Sequence, residues 1–150
     1  MAVPKICGIE TEYGIVVRGA PDANPVSASS MLINAYISEL TARRRDQPGP
    51  SVGWDFEDET PGNDARGEAM LRSLAPEVET HLVNAVLTNG ARYYVDHAHP
   101  EFSAPECADA RQALLYDRAG EEILIRSMAA ATTMLPDGQE IVVYKNNSDG

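Results

Sequence analysis

The sequence predicts an α+β fold, and three observations carry that reading. Asn89-Gly90 stands between two short extended runs, the strongest short-range signal for an antiparallel hairpin. Two segments, 27–45 and 109–133, repeat apolar residues near helical spacing. Strands and helices interleave along the chain while the strands pair as hairpins, so the helices are expected to pack on a largely antiparallel sheet.

Taken in order, residues 5–17 read as a strand carrying Ile6, Ile9, Tyr13, Ile15, Val16 and Val17, with Gly8 and Gly14 as candidate breaks. Residues 20–25 form a turn. The helix over 27–45 places Met31, Leu32, Ala35, Tyr36 and Leu40 on its apolar side and offers Ser27, Ser29 or Ser30 as its cap. Gln47-Pro48-Gly49-Pro50-Ser51 and Pro61-Gly62-Asn63-Asp64 then break the pattern, and 47–76 reads as a long mobile loop holding the sole tryptophan, Trp54. Residues 84–88 and 91–96 are the two strands of the hairpin. Pro105 and Glu106 lead into the helix over 109–133, whose expected stripe is Leu114, Leu115, Ile123, Leu124, Met128 and Met134, with Gly120 as a candidate break. Pro136-Asp137-Gly138 turns the chain into a last strand over 140–145.

Composition narrows the function. The 150 residues carry 23 acidic against 12 basic side chains, a net charge of −11. A nucleic-acid surface needs clustered Lys and Arg, and the sole basic run, Arg43-Arg44-Arg45, is short and followed by Asp46. No stretch approaches the ~20 apolar residues of a membrane span, and the N-terminus lacks a basic-then-apolar signal layout. Cys7 and Cys107 match no metal or redox spacing. Reduced thiols in a cytoplasmic protein are expected.

Two acidic clusters could carry chemistry. Glu10 and Glu12 are two apart on a strand, so they share a face. Two carboxylates there either lie solvated or hold a hard cation between them, as magnesium does with carboxylate, water and phosphate oxygens. The second cluster runs from Arg92 to Glu101. Arg92, Tyr94 and Asp96 alternate onto one strand face, and a His-Pro turn at His99-Pro100 swings Glu101 back toward them. Carboxylates so placed serve as nucleophile, general base or metal ligand. His97 and His99 have no third nitrogen or sulfur ligand nearby, which argues against zinc and for hydrogen bonding to neighbours.

The strings Gly8-Ile9-Glu10-Thr11-Glu12-Tyr13-Gly14, Asn89-Gly90-Ala91-Arg92, Tyr94-Val95-Asp96-His97-Ala98-His99-Pro100-Glu101 and Tyr144-Lys145-Asn146-Asn147-Ser148-Asp149-Gly150 resemble those of the Pup-processing enzymes. This family comprises the Pup ligase and the depupylase/Pup deamidase, and is related to glutamine synthetase and the carboxylate-amine ligases. The short form Asp96-His97-Ala98-His99-Pro100-Glu101 and the insert with Trp54-Asp55-Phe56-Glu57 and Asp64-Ala65-Arg66-Gly67 are similar to the depupylase branch.

The resemblance implies a glutamine-synthetase-like cradle of mainly antiparallel sheet with packed helices. It implies that the chain is the N-terminal part of a longer catalytic domain, completed by the remainder of the same enzyme beyond residue 150. Glu10, Glu101 and Tyr94 resemble magnesium-site residues, with Glu12 a weaker match. Arg92 resembles a nucleotide-phosphate contact and Asp96 the catalytic aspartate. Where the ligase carries a threonine taken for an ATP contact this chain has Ala104, and Ser103 beside it is the candidate substitute. Trp54, Phe56, Asp64 and Arg66 mark a regulatory loop. The implied cofactors are ATP (or ADP) and Mg2+, and the implied partners are Pup and pupylated proteins. The implied activity is deamidation of Pup's C-terminal glutamine and cleavage of Pup–lysine isopeptide bonds. The alternatives are ligation of Pup to lysine on the same cradle, and a binding module without activity of its own.

Overall fold

A computed structural model describes residues 5–44 and 83–145. The expected loop at 47–76, with Trp54, Phe56, Asp64 and Arg66, lies outside the described residues, as do residues 146–150 of the last motif. The elements are β1 (Glu10–Arg18), α1 (Pro25–Arg44), β2 (Asn84–Val86), β3 (Arg92–Asp96), β4 (His99–Ser103), α2 (Ala110–Thr132) and β5 (Glu140–Lys145). The strands form one antiparallel sheet in the order β2-β3-β4-β1-β5. Both helices cover the same face of it. Thr11, Tyr13, Tyr93, Val95, Pro100, Phe102 and Ile141 point into that layer and are buried, while their sequence neighbours face the other way. Among the described residues no helix is long and apolar enough to cross a membrane.

The Asn89-Gly90 hairpin forms as expected. The Gly90 N–H donates to the Leu87 carbonyl at 2.9 Å, and Gly90 takes a φ of +85°, which glycine adopts without steric cost. Asn89 Oδ1 accepts from the Ala91 N–H at 3.1 Å and closes the turn. The first strand is broken, as Gly8 suggested: Cys7 pairs alone with Cys107, and the regular strand starts at Glu10.

Three expectations are corrected. First, α1 begins before the serines. Asn24 Oδ1 accepts from the Ser27 N–H at 3.2 Å, and Pro25 occupies the first helical position, where its missing N–H has no intrahelical partner to lose. Second, the stretch expected as a His-Pro turn is a strand, β4, in the middle of the sheet. The turn is one step earlier, at His97-Ala98. Pro100 fits because the β1–β4 ladder ends at Glu12↔Glu101, so the proline sits one residue past it.

Third, the buried seam of α2 is built from small residues. Leu114, Leu115 and Met134 are exposed, whereas Ala113, Gly120, Leu124, Ser127 and Ala131 are buried. Small side chains let α2 lie close to the sheet and to α1. Gly120 is no break: α2 runs through it without interruption. The Phe102 ring of β4 covers its Cα, and burying a phenylalanine is worth about 1.5–3 kcal/mol. Tyr93 ties the layers together. Its hydroxyl and the Ser127 hydroxyl lie 3.2 Å apart, and its ring meets Tyr36 of α1 edge-to-face at 6.1 Å.

A Cβ at residue 120 would lie 2.6 Å from the Phe102 ring. Gly120→Ala therefore costs about 1–3 kcal/mol in overpacking, against a gain in helix propensity of at most ~1 kcal/mol. Urea unfolding of the variant is expected to show a net loss of stability, the reverse of what the same change gives on an exposed helix.

Candidate active site

The face turned away from the helices carries every predicted site residue that lies among the described ones. Pairing arranges them in rows across the strands. One row runs Glu12, Glu101, Tyr94, Asn84 through β1, β4, β3 and β2. The adjacent row runs Glu10, Ser103, Arg92, Val86, and Asp96 faces His99 at the closed end of the β3–β4 hairpin. Residues two apart on a strand share a face, so one register presents Glu10, Glu12, Arg92, Tyr94, Asp96, Glu101 and Ser103 together.

Glu101 is the centre of the group. It lies on β4, between the neighbouring strands β1 and β3, and only 6% of it is exposed. Tyr94 Oη donates to Glu101 Oε1. Ser103 Oγ lies 3.1 Å from Glu10 Oε1 and 3.4 Å from Tyr94 Oη, joining the two rows. Arg92 stacks its guanidinium 4.1 Å from the centre of the Tyr94 ring and donates from Nε to Asn84 Oδ1 at 2.9 Å. The Arg92 side chain is thereby held alongside the carboxylates instead of extending freely into solvent.

Burial raises the Glu101 carboxyl above its ordinary value, and the negative charges of Asp96, Glu10 and Glu12 raise it further, while the Tyr94 hydrogen bond opposes the shift. The Tyr94 phenol is also raised, first by burial and then by donating to Glu101. Glu12 and Glu101 stand directly opposite on adjacent strands, where like charges destabilise a sheet.

A hard cation is what such a donor set fits. As the side chains stand, no three His, Cys, Asp or Glu among the described residues gather closely enough to enclose a metal by themselves. Magnesium needs no such cage, because it keeps several waters and uses one or two carboxylates plus phosphate oxygens. Glu10 and Glu101 would hold it, with Tyr94 and Glu12 beside them.

Asp96 ends β3 at the edge of the group. The His97 Nδ1–H donates to Asp96 Oδ2 at 3.0 Å, and the His99 ring reaches across to Glu12. His99 hydrogen-bonds a neighbour, as expected, but sequence reasoning did not place it on the site face. Its signal was its spacing of two from Glu101, hidden because the segment was read as a turn and not as a strand. Ala104 packs on the helix side while the Ser103 hydroxyl is on the site face, so the serine is the residue placed to meet a ligand.

A family model described as "Pup-ligase protein" matches residues 5–150. The chain belongs to this family. It is 45% identical over 150 residues to the depupylase of Acidothermus cellulolyticus, covering 97% of this chain and 29% of that protein. It is 41% identical over 151 residues to the Pup deamidase/depupylase of Mycobacterium tuberculosis H37Rv, again 97% and 29%. Against the Pup–protein ligase of Sanguibacter keddieii identity falls to 31% over 153 residues, 99% of this chain and 26% of that one. The chain thus spans under a third of the length of these relatives. Among solved structures, the crystal structure of the complex between Prokaryotic Ubiquitin-like Protein Pup and its ligase PafA shares the fold. Its TM-score is 0.57 at 18% identity, over 96% of this chain and 22% of that chain.

The raised Glu101 carboxyl has a consequence for stability. The folded chain holds this proton at pH values where the unfolded chain has released it, so without divalent cation stability falls as pH rises from 4.5, the ordinary value, through the raised one. Glu101→Gln removes the buried charge and still accepts from Tyr94. Thermal melts without divalent cation are expected to show the variant more stable than wild type at neutral pH, with the gap closing in acid.

Proposed function

We propose that this chain forms part of a glutamine-synthetase-like catalytic domain that hydrolyses amide bonds at the C-terminus of Pup. The domain deamidates a C-terminal glutamine and releases Pup from substrate lysines. The observation that carries the reading is the shared face of Glu10, Arg92, Tyr94, Asp96, Glu101 and Ser103, one register across three strands. The higher identity to depupylases than to a ligase matched over the same length supports hydrolysis over ligation.

The chemistry assigned to each side chain follows from its place. Asp96 is a carboxylate at a strand end beside an open face, and the His97 ring orients it. It either attacks the amide carbonyl carbon, expelling ammonia or the lysine amine and leaving an acyl-aspartate for water to cleave, or takes a proton from the attacking water. Arg92 suits phosphate oxygens, since guanidinium is a fixed fork of donors. Glu10 and Glu101 supply hard oxygen ligands, and Ser103 a hydroxyl beside them. Mg2+, held by Glu10 and Glu101 between this acidic face and the phosphates of ATP or ADP, would offset the repulsion between them and supply a Lewis acid beside Asp96. The setting is the cytoplasm, the protein partners are Pup and pupylated proteins, and the rest of the cradle is supplied by the remainder of the full-length protein.

Asp96→Asn in the full-length protein keeps size and hydrogen bonding but removes the base or nucleophile. Deamidation of Pup is expected to fall by about 10²–10⁴-fold with nucleotide affinity unchanged. Near-normal turnover would remove Asp96 from the chemistry.

A further inference from the structure

We infer that Ser29, on the opposite side of the sheet from the proposed site, is a positioning residue for Asp96. The inference rests on the reading of Asp96 given above and adds to it a residue that acts only through the backbone. Ser29 is fully buried in α1, and its hydroxyl donates to the Ala98 carbonyl at 2.7 Å. It does not cap its helix, since Asn24 does that, and its bond leaves the helix altogether.

The turn it grips is unusual. A two-residue hairpin loop with both residues at positive φ is normally Asn-Gly or Asp-Gly. Here it is His97 at +46° and Ala98 at +94°, neither of them glycine. A residue with a Cβ is strained in such a conformation, which persists only where the surroundings hold it. His97 is exposed, so nothing packed over its side chain supplies that hold. The buried Ser29 hydroxyl does, from below, on the second of the two strained residues.

What the turn decides is the pairing of Asp96 with His99, and through it Tyr94 with Glu101. Relaxing the turn by one residue moves every β4 side chain to the opposite face, and a smaller rotation still moves the Asp96 carboxylate. Ser29 therefore fixes the aim of Asp96 without touching substrate, nucleotide or metal. Displacements near 1 Å at a reacting group cost about 100-fold in rate.

The test uses the full-length protein carrying Ser29→Ala or Ser29→Cys, the thiol being a weak donor of similar size. Three quantities are read: kcat and KM for Pup deamidation, nucleotide affinity, and amide hydrogen exchange at residues 97–99. Ser29→Ala is expected to lower kcat by about tenfold or more with KM and nucleotide affinity unchanged. Exchange at the turn should quicken, and Ser29→Cys should fall between Ser29→Ala and wild type. Loss of melting temperature with wild-type kcat and unchanged exchange overturns the inference and leaves Ser29 a packing residue. Asp96→Asn, measured alongside, separates the two claims. A fully active Asp96→Asn overturns the reading of the site and the inference with it. An inactive Asp96→Asn with an unaffected Ser29→Ala overturns the inference alone. Should Ser29→Ala not fold, the same exchange and kcat measurements on Ser29→Cys decide.

Discussion

Setting Glu12 directly opposite Glu101 is the constraint on which the rest of this structure depends. Adjacent strands carry few less favourable pairs, because the carboxylates repel and one of them is buried. A sheet chosen for stability alone would place a hydroxyl or a lysine in one of those positions. The register nevertheless brings Glu10, Asp96, Tyr94 and Arg92 to the same face, and each neighbour either adds to the charge or answers it. Tyr94 and Ser103 spend their hydroxyls on Glu101 and Glu10, and His99 turns toward Glu12. The arrangement makes chemical sense as a face that awaits a cation and the anions bound to it.

Holding that register is the task of the helix side. Phe102 is pinned by the bare Cα of Gly120, and Tyr93 by Ser127 and Tyr36. Thr11 donates to Asp117 of α2 at 3.1 Å. Lys145 of β5 reaches Asp117 and Glu121 at 2.8 and 2.9 Å, and its bond to Glu121, with that from Arg118, holds the Glu121 carboxyl below the ordinary carboxylate range. Ion pairs this exposed add little stability singly. Together they fix where β1 and β5 lie along α2, and a strand fixed along its length cannot slip. The apolar layer supplies stability, while the polar ties specify which residues face out.

Much of this was legible from the residues. Asn89-Gly90 marked its hairpin because glycine takes the positive φ that the turn requires and the asparagine side chain closes it. The alternation Arg92, Tyr94, Asp96 put three functional groups on one face because a strand has a period of two. The strand β4 was hidden by Pro100, since proline normally argues against a central strand, and only the early end of the β1 ladder makes room for it. The apolar stripe expected on α2 failed at Leu114, Leu115 and Met134 because contact with the sheet favours small residues, which hydropathy scarcely registers. Ser29 looked like a cap because serines near a helix start usually are caps. Its partner, 69 residues away, becomes visible only once the fold is formed.

The central proposal is that this face receives the divalent cation. Diffraction at the manganese edge from crystals of the full-length protein grown with Mn2+ and a nucleotide tests it directly, because the anomalous peak reports the metal without assumptions about residue roles. The account predicts a peak ligated by carboxylate oxygens of Glu10 and Glu101, with Tyr94 beside it. A fully occupied peak held by other protein groups, with the β1–β4–β3 face left bare, would contradict it.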